Sequence, residues 1–309
     1  ANGVKMTNFY SCSPVCTPSR AGLMTGRYPK RAYASDHVYF PEESGMGDYR
    51  KFRGFQNAIP KDEIMISEVL QANDYATGIV GKWHLGDKAG HLPNDFGFDY
   101  YYGVHYSNDM IPLHIYRNEA LIEVDKKQLE NPGFPGGYYD MDTPLAVAGV
   151  DQTKLTENYT KEAINFIQQH QAQPFFLYLP HSFPHVPHFS SHRQNGKSDA
   201  GLYGDVVEDL DWNVGKIMNT LSALNLVENT LVFITSDNGG DLQGSVGALR
   251  GRKQLTFEGG QKVPMIIYGP SFIPASFETS ALATNMDLFP TILDLLGITL
   301  PTDRLIDGK

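Results

Sequence analysis

The segment TLVFITSDNGG, residues 230–240, joins a short apolar run to a polar, glycine-rich end. Its β-branched and aromatic residues favour a buried strand over residues 230–235, and the glycines favour a tight turn directly after it. Residues 75–80, 174–179 and 263–268 have a similar composition and predict three further strands. The pattern therefore places polar side chains beyond the carboxyl ends of several buried strands.

Segments with helical periodicity lie between these strands. Residues 203–224 carry apolar side chains at helical spacing, which indicates a long helix whose apolar stripe belongs to the core. Weaker patterns predict helices over residues 64–72, 156–168 and 287–296, the last of them stopped by Gly297. Alternating strands and helices predict an α/β sandwich with a largely parallel central sheet flanked by helices, and functional groups beyond the carboxyl ends of its strands.

The composition is that of a globular protein, with 41% hydrophobic and 19% charged residues among 309. No run approaches the roughly 18 apolar residues that a membrane span requires, so we expect no membrane span. The formal net charge of −10 argues against binding nucleic acid or anionic lipid, so an anionic substrate must be held by local cations.

Cys12 and Cys16 are too few for a disulfide framework. No repeat or linker divides the chain, which favours one domain over residues 1–309.

The first of four polar clusters is CTPSR, residues 16–20. Pro18 can open a helix in its first turn, and a cysteine just before a helix start lies at the positive end of the helix dipole. With Arg20 close in sequence, this arrangement favours an anionic or electron-rich group at Cys16. A buried, unreactive cysteine explains the same local sequence equally well.

The second and third clusters each follow a predicted strand. In GKWHLG, residues 81–86, an extended chain would point the side chains of Lys82 and His84 to the same side, so that a cation and an imidazole share one face. The alternative is that these residues form a solvated strand end without a function. PHSFPHVPH holds His181, His185 and His188 among prolines, which predicts a rigid loop presenting imidazoles that bind metal or move protons. Zinc would need ligands scattered elsewhere, because the chain has no HExxH motif and no CxxC pair.

The fourth cluster extends from SDNGG, residues 236–240, to GRK, residues 251–253. Asp237 and Asn238 place two oxygen donors on a tight turn, and such hard donors suit calcium or magnesium. A plain Asx turn without a metal is the alternative. Lys253 adds a cation to the cluster.

Together these clusters resemble the sulfatase family, within the alkaline-phosphatase-like superfamily, over nearly the whole chain. Residues 16–20 match the family's Cys-x-Pro-Ser-Arg signature, which TGR at residues 25–27 extends. The resemblance implies an alkaline-phosphatase-like α/β sandwich and oxidation of Cys16 to formylglycine by a formylglycine-generating enzyme. It also implies that one hydroxyl of the hydrated aldehyde attacks the sulfur of a sulfate ester, and that the other then expels sulfate.

The resemblance implies roles for three further residues around the nucleophile. Arg20 would steady the hydrated aldehyde, and His84 would assist proton movement at its hydroxyl. His185, in the Pro-His-Val-Pro segment, would protonate the leaving alcohol. His181 and His188 match the family less clearly and could contact substrate.

The resemblance also implies groups that hold sulfate and metal. Lys82 and Lys253 would bind sulfate oxygens, as would Ser107, because fixed positive groups and donors stabilise the charge that builds as the S–O bond breaks. Asp237 and Asn238 match two ligands of a single divalent cation site, with Ca²⁺ favoured over Mg²⁺.

The two ends of the sequence bear on this site. The family supplies two further aspartate ligands from an Asp-Asp pair at the end of its first strand, whereas residues 1–10 resemble sequence already beyond that strand. Residues 303–309 resemble the junction before the family's smaller C-terminal domain. We therefore expect residues 1–309 to be a sulfatase catalytic domain that is incomplete at both ends. We expect the chain as it stands to bind metal weakly, so that this fragment of a sulfuric ester hydrolase can itself be inactive.

The function that the resemblance implies is hydrolysis of aryl or carbohydrate sulfates, with loops such as residues 106–151 and 189–202 selecting the organic part. Two alternatives remain: a phosphate or phosphonate monoester hydrolase on the same scaffold, and a non-catalytic protein that binds sulfated glycans. Two-metal phosphatases need additional Asp and His ligands, which favours sulfate. Because sulfatases are commonly exported or lysosomal, we expect a periplasmic, extracellular or lysosomal protein, although no leader opens this sequence.

Overall fold

The computed structural model describes residues 3–35, 37–42, 44–110, 113–123, 150–274 and 276–309. The chain packs into two compact units. Unit 1 comprises Ala1–Val38, Asp62–Ile66 and Leu221–Lys309, and unit 2 comprises Tyr39–Lys61 and Ser67–Thr220. Neither unit is continuous in sequence, and the assignment of residues 1–309 to one catalytic domain stays a prediction.

The elements of the described residues follow the predicted alternation. The strands are β1 (Val4–Met6), β2 (Phe9–Tyr10), β3 (Ala76–Lys82), β4 (Tyr100–Val104), β5 (Ile115–Arg117), β6 (Ala120–Glu123), β7 (Phe175–Tyr178), β8 (Val232–Thr235), β9 (Met265–Tyr268), β10 (Phe277–Thr279) and β11 (Ala283–Thr284). The α-helices are α1 (Cys16–Thr25), α2 (Gly45–Phe52), α3 (Ile66–Gln71), α4 (Leu155–Gln169), α5 (Gly201–Ala223), α6 (Glu258–Gln261) and α7 (Leu288–Leu295). The predicted strands are confirmed as β3, β7, β8 and β9, and the predicted helices as α3, α4, α5 and α7. Gly297 follows α7 with φ 67°, the left-handed conformation expected of a helix stop.

Unit 1 contains a four-stranded sheet in the order β10-β1-β9-β8 and a two-stranded sheet of β11 and β2. In the larger sheet, β1 runs parallel to β10 and antiparallel to β9, and β9 runs antiparallel to β8. Phe9, Met265 and Leu288 are central to the apolar core of this unit, against which Leu23 of α1 packs. Strand β8 ends at Thr235, so the sheet holds the start of the polar SDNGG turn in place.

Unit 2 contains a five-stranded sheet in the order β6-β5-β4-β3-β7. Strand β3 pairs in parallel with both β4 and β7, and every residue of β3 is buried. Val80, Tyr102, Tyr159, Phe183 and Val206 belong to one apolar core, which brings β3 and β4 together with α4 and α5. A strand that is buried on both faces reads as a continuous apolar run, which is why the sequence pattern identified β3.

The α/β class is confirmed, but both main sheets are mixed rather than largely parallel. The parallel pairs of unit 2 are β3 with β4 and β3 with β7, whereas β4 with β5 and β5 with β6 are antiparallel. For β5 and β6 the reason is connection length, because only antiparallel strands can be joined by a short turn such as the one at Asn118 (φ 51°). Of the loop expected over residues 106–151, residues 111–112 and 124–149 lie outside the described residues, and β5 and β6 form an antiparallel pair within it.

Helix α2 is the main element that the sequence pattern missed. Its sequence, GMGDYRKF, contains two glycines, each of which lowers helix propensity by about 1 kcal/mol relative to alanine. The helix is stabilised locally instead, since the Ser44 hydroxyl accepts a hydrogen bond from the backbone amide of Gly47. Among the helices of the described residues, none combines the length and apolar character needed to cross a bilayer.

Candidate active site

The signature segment forms the amino-terminal turn of helix α1 in unit 1. Cys16 is the first helical residue, after Val15 in an extended conformation, and Pro18 lies in the first turn. This confirms the predicted helix start, displaced by one residue. Cys16, Thr17, Ser19 and Arg20 are all buried, so the residues of the signature do not form an exposed loop. Gly26 ends the helix at φ 65°, where a Cβ atom would lie 2.8 Å from the side chain of Phe289.

Asn285 clamps the signature helix to the segment before it. Its Oδ1 accepts from the backbone amide of Cys12 at 2.9 Å, and its Nδ2 donates to the carbonyl and the hydroxyl of Ser19 at 3.0 and 2.9 Å. Asn285 is itself buried. Burial raises the pKa of the Cys12 thiol to about 12, which keeps this second cysteine a neutral thiol at physiological pH.

Arg20 is paired with Asp237 across 217 positions of sequence. The Nε and Nη2 atoms of Arg20 donate to Oδ2 of Asp237 at 3.1 and 2.9 Å. The side chains are 6% and 22% exposed, so this ion pair is poorly hydrated. A planar guanidinium in such a pair has a fixed orientation, which a lysine would not provide. The first and fourth polar clusters of the sequence therefore meet.

Asn238 and its neighbours form a tight turn after β8. The hydroxyl of Ser236 donates to the carbonyl of Asn238 at 2.9 Å, and the backbone amide of Gly239 donates to the carbonyl of Gly260 at 2.9 Å. A Cβ atom at Gly239 would lie 1.9 Å from the carbonyl oxygen of Gly259, so only glycine fits here. The turn thus presents the side chains of Asp237 and Asn238 together.

The donor chemistry of this turn fits a hard divalent cation. The Oδ1 atom of Asn238 is buried without a hydrogen-bond partner, and a buried polar oxygen of this kind is costly unless a ligand satisfies it. A carboxylate oxygen and an amide oxygen are ligands that Ca²⁺ accepts. Within the described residues, no group of three or more His, Cys, Asp or Glu side chains is arranged to hold a metal, so these two residues supply only part of a coordination shell.

Lys253 lies in the same unit as this turn. Its backbone amide donates to the carbonyl of Gly240 at 2.9 Å, and the amide of Gln254, whose φ is 73°, donates to the carbonyl of Pro14 at 2.9 Å. These bonds connect the Lys253 segment to the turn after β8 and to the segment before Cys16. Unit 1 therefore collects Cys16, Arg20, Asp237, Asn238 and Lys253.

In unit 2, Lys82 ends the buried strand β3 and contacts Ser107. Its Nζ donates to Oγ of Ser107 at 3.1 Å, and both side chains are about 1% exposed. Its backbone amide donates to the carbonyl of Pro180 at 2.8 Å. Gly81 has φ 130°, and a Cβ atom there would lie 2.1 Å from that carbonyl oxygen, so the position requires glycine. Strands β3 and β7 thus bring the second and third clusters together.

His185 completes this group. Its Nδ1 lies 3.3 Å from Oγ of Ser107, 2.6 Å from the carbonyl oxygen of Val186 and 3.8 Å from Oδ1 of Asp109. A carbonyl oxygen at 2.6 Å requires a proton on Nδ1, so in the neutral ring Nε2 carries the lone pair that can exchange a proton. The group can bind an anion through its ammonium and hydroxyl, and can transfer a proton through its imidazole.

His84 does not continue an extended strand. Its φ is 64°, so the geometry behind the predicted shared face with Lys82 is wrong. Its Nε2 lies 3.0 Å from the carbonyl oxygen of Tyr39, and its ring meets the ring of Tyr106 edge to face at 5.8 Å. Strand β3 ends at Lys82 because the chain turns here, with the amide of His84 donating to the carbonyl of His105.

The other two histidines of the third cluster differ from each other. His188 has Nε2 3.0 Å from the carbonyl oxygen of Pro184. His181 is half-buried as a residue, but both of its ring nitrogens are shielded from solvent and have no hydrogen-bond partner. This desolvation lowers the pKa of His181 to about 4. His181 is therefore neutral in the folded protein.

The structure groups the candidate residues by unit, with Cys16, Arg20, Asp237, Asn238 and Lys253 in unit 1 and Lys82, His84, Ser107 and His185 in unit 2. Sequence reasoning missed Asn285 and Asp109, both of which are buried. Asp109 lies two residues after Ser107, and this spacing could have drawn attention to it. Nothing in the local sequence marks Asn285, because its partners lie more than 260 positions away.

Comparison with known proteins extends these observations. The profile of the Sulfatase family matches residues 1–298. N-acetylgalactosamine-6-sulfatase of Canis lupus familiaris is 38% identical over 329 residues, covering 100% of this chain and 58% of that protein. Human steryl-sulfatase is 32% identical, covering 100% of this chain and 63% of its own. A solved structure from work on the metabolism of multiple glycosaminoglycans by Bacteroides thetaiotaomicron superposes with a TM-score of 0.81 at 28% identity, covering 100% of this chain and 73% of that one. The chain thus spans about three fifths of the length of these two curated relatives.

Proposed function

The chain belongs to the sulfatase family, and on that premise we propose that it hydrolyses sulfate esters. The observation that carries the proposal is the pairing of Arg20, from the signature helix, with Asp237, from the turn after β8. This pairing joins the residue that would steady the nucleophile to a residue that would hold the cation. Both charges are poorly hydrated, and a buried ion pair of this kind adds little to stability compared with apolar packing. Its presence between these two segments therefore supports a role in catalysis.

The proposed nucleophile derives from Cys16 through a formylglycine-generating enzyme. As hydrated formylglycine, residue 16 supplies two hydroxyls, one to attack sulfur and one whose deprotonation releases sulfate and restores the aldehyde. Burial at the start of helix α1 supports this role, because it excludes bulk water and places the residue at the positive end of the helix dipole. The Arg20 guanidinium, fixed by Asp237, would orient and stabilise these hydroxyls.

We place one divalent cation, Ca²⁺ rather than Mg²⁺, at Asp237 and Asn238. Bound there, it would supply positive charge that favours a deprotonated hydroxyl and binds a sulfate oxygen. The buried, unpartnered Oδ1 of Asn238 supports this assignment. Lys253 would add a further positive charge for sulfate oxygens.

By family resemblance, Lys82, Ser107 and His185 would act on the sulfate and on the leaving group. Lys82 and Ser107, already joined by a hydrogen bond, would donate to nonbridging sulfate oxygens. His185 would give the proton on Nε2 of its imidazolium to the leaving oxygen as the S–O bond breaks, so that an alcohol and not an alkoxide departs. The contact of its Nδ1 with the carbonyl of Val186 supports this role by fixing the ring orientation. His84 would assist proton movement at the residue-16 hydroxyl.

The substrate class we propose is an aryl or carbohydrate sulfate. A curated relative is named for a sulfated amino sugar, a second for a steryl sulfate, and the solved structure comes from work on glycosaminoglycans. The substrates in these names differ in their organic part and share a sulfate ester. The ester is therefore the part of the substrate on which the proposal depends, and the names do not choose between its organic parts. By family resemblance we also propose an exported or lysosomal location.

The first test asks whether Cys16 becomes an aldehyde. The chain is produced together with a formylglycine-generating enzyme, and the tryptic peptide of residues 6–20 is analysed by mass spectrometry. We expect residue 16 to have lost its thiol in favour of an aldehyde, both in the wild type and in Cys12→Ala. An intact thiol at residue 16, with the modifying enzyme active on a control peptide, would refute the mechanism and favour a non-catalytic protein that binds sulfated glycans.

The second test separates sulfate from phosphorus chemistry. With calcium in excess, so that a weakly binding site is filled, turnover of 4-nitrophenyl sulfate is compared with that of 4-nitrophenyl phosphate and of a 4-nitrophenyl phosphonate monoester, with Cys16→Ala as the inactive control. We expect kcat/KM to be highest for the sulfate and lost in the variant. A preference for either phosphorus ester would replace sulfate hydrolysis by the alternative hydrolase activity.

A further inference from the structure

Helix α2 and the loop after it expose three aromatic side chains within seven residues. Tyr49 is 47% exposed, Phe52 is 87% exposed and Phe55 is 40% exposed. Single exposed apolar residues are ordinary, whereas neighbouring exposed aromatic side chains are a candidate binding surface. With Lys51 and Arg53 beside them, these five residues form what we call the aromatic-basic patch. None of the five is assigned a role in catalysis.

Backbone geometry gathers the patch into one surface. Tyr49, Phe52 and Arg53 are spaced three and four positions apart, so they share a side of the helix. Gly54 then turns the chain at φ 67°, and the amide of Phe55 donates back to the carbonyl of Arg50 at 2.9 Å. This turn brings the ring of Phe55 back over the end of the helix.

Arginine side chains hold the rings in place. The guanidinium carbon of Arg53 lies 5.9 Å from the ring centre of Tyr49 and 5.7 Å from that of Phe55. From the buried side, the guanidinium of Arg50 lies 5.7 Å from Phe55 and 5.6 Å from Tyr39. Cation-π contacts of this kind order side chains that would otherwise be mobile on the surface. The patch is therefore pre-organised, which lowers the entropic cost of binding.

The positive local charge of the patch favours an anionic ligand. Residues 45–56 contain three basic side chains and a single acidic one, Asp48, whereas the whole chain carries a formal charge of −10. Arginine and lysine pair with sulfate oxygens, and aromatic faces pack against the C–H faces of sugar rings. A sulfated glycan presents both features along one chain.

We infer that the aromatic-basic patch is a second binding surface for sulfated glycan chains, one that uses none of the residues assigned to catalysis. The inference rests on the proposed function only for the choice of sulfate as the anion. The patch would hold a polymeric substrate and raise the local concentration of its sulfate esters, while leaving small substrates unaffected.

The binding experiment uses the full chain carrying Cys16→Ala, so that no turnover occurs. Affinity for chondroitin sulfate is measured by calorimetry, with unsulfated chondroitin as the matched ligand. We expect binding of the sulfated chain that weakens as ionic strength rises, and a loss of about tenfold in affinity when Phe52→Ala and Arg53→Gln are added. Phe272→Ala, which removes an aromatic ring that is 50% exposed in unit 1, should leave affinity unchanged.

Catalysis separates this inference from the proposed function. In the protein with an intact Cys16, the Phe52→Ala/Arg53→Gln pair should leave kcat/KM for 4-nitrophenyl sulfate within twofold, and raise KM for a sulfated polysaccharide. Absence of aryl sulfate turnover would refute the proposed function while leaving the binding result in force. Equal affinity for the unsulfated chain, no effect of the double variant, tighter binding of poly(dT), or a change of oligomeric mass in the variant would each overturn the inference.

Discussion

In unit 1, the guanidinium of Arg20 donates two hydrogen bonds to a single carboxylate oxygen of Asp237, at 3.1 and 2.9 Å. Arg20 lies on the signature helix and Asp237 lies on the turn after β8. The pair is mostly shielded from water, so removing either member leaves a charge in a poorly hydrated place. The pair therefore affects both the stability of unit 1 and the chemistry proposed for it.

Arg20→Ala should lower the free energy of unfolding by about 3 kcal/mol, because the Asp237 carboxylate loses its cation in a partly buried site. Urea denaturation in the presence of a chelator measures this loss without a contribution from bound metal. The control is Arg31→Ala, which removes the arginine that pairs with Asp307. The Arg31 side chain is 44% exposed, so this variant should lower the free energy of unfolding by less than about 1 kcal/mol. Equal losses in the two variants would contradict the special weight given to the Arg20 pair.

Ser107→Ala should lower kcat/KM for an aryl sulfate by about tenfold or more, because it removes a hydroxyl that accepts from Lys82 and would donate to sulfate. Steady-state kinetics give the value. Ser67→Ala is the matched control, since its buried hydroxyl donates to the carbonyl of Phe96 in the same unit. That variant should lose stability but keep its kcat/KM. A Ser107→Ala enzyme with wild-type kinetics would remove Ser107 from the site.

His181 should make the protein less stable as pH falls from about 6.5 to about 4. The pKa of His181 is about 4 in the folded chain, below its ordinary value of 6.5, because its ring nitrogens are desolvated. Between these values the unfolded chain binds a proton that the folded chain does not, so unfolding becomes easier by up to about 3 kcal/mol at the acid end. His105, whose pKa burial lowers to about 3, acts in the same direction.

His181→Gln should flatten this dependence, because glutamine takes up no proton in either state. Urea denaturation at several values between pH 7 and pH 4 tests the change in slope. His192→Gln, at an exposed position, is the control and should leave the slope as in the wild type. If the two variants have the same slope, the loss of stability in acid arises elsewhere.

Asn285→Ala should lower the free energy of unfolding by about 2 to 3 kcal/mol, because it removes three hydrogen bonds that join the Cys12 segment to Ser19 of the signature helix. At a pH low enough to protonate it, Asn285→Asp keeps an oxygen that accepts from the Cys12 amide and supplies one O–H donor in place of two N–H donors, so its stability should fall between those of wild type and Asn285→Ala. Thermal unfolding ranks the three proteins. A fully stable alanine variant would show that this clamp is dispensable.

Calcium should bind weakly to this chain, because Asp237 and Asn238 supply two oxygen donors where Ca²⁺ takes about six to eight. Calorimetric titration of chelator-treated protein measures the affinity, and Asn238→Ala should abolish what binding there is. Asn229→Ala, at an exposed position on the same unit, should have no effect. Tight binding that survives Asn238→Ala would place the cation elsewhere.

Local sequence was sufficient for the elements whose side-chain pattern repeats. Strand β3 is buried along its whole length and helix α5 has apolar residues at helical spacing in its sequence, so each contains its own signal. Helix α2 contains two glycines and little periodicity, and its capping by Ser44 depends on a backbone conformation that the pattern does not reveal. Strand direction was equally hidden, since β5 pairs antiparallel with both β4 and β6, and no predicted strand covered any of the three.

The sequence by itself determined which residues could carry the chemistry. Each candidate group belongs to a short continuous segment, and its side-chain chemistry does not depend on the fold; the segments are CTPSR, GKWHLG, PHVP and SDNGG. The tertiary structure decided which of these residues touch. Arg20 meets Asp237, Asn285 meets Ser19, and Lys82 meets Ser107. Those contacts follow from sheet pairing and core packing between segments far apart in the chain, and such packing leaves no mark on the local order of amino acids.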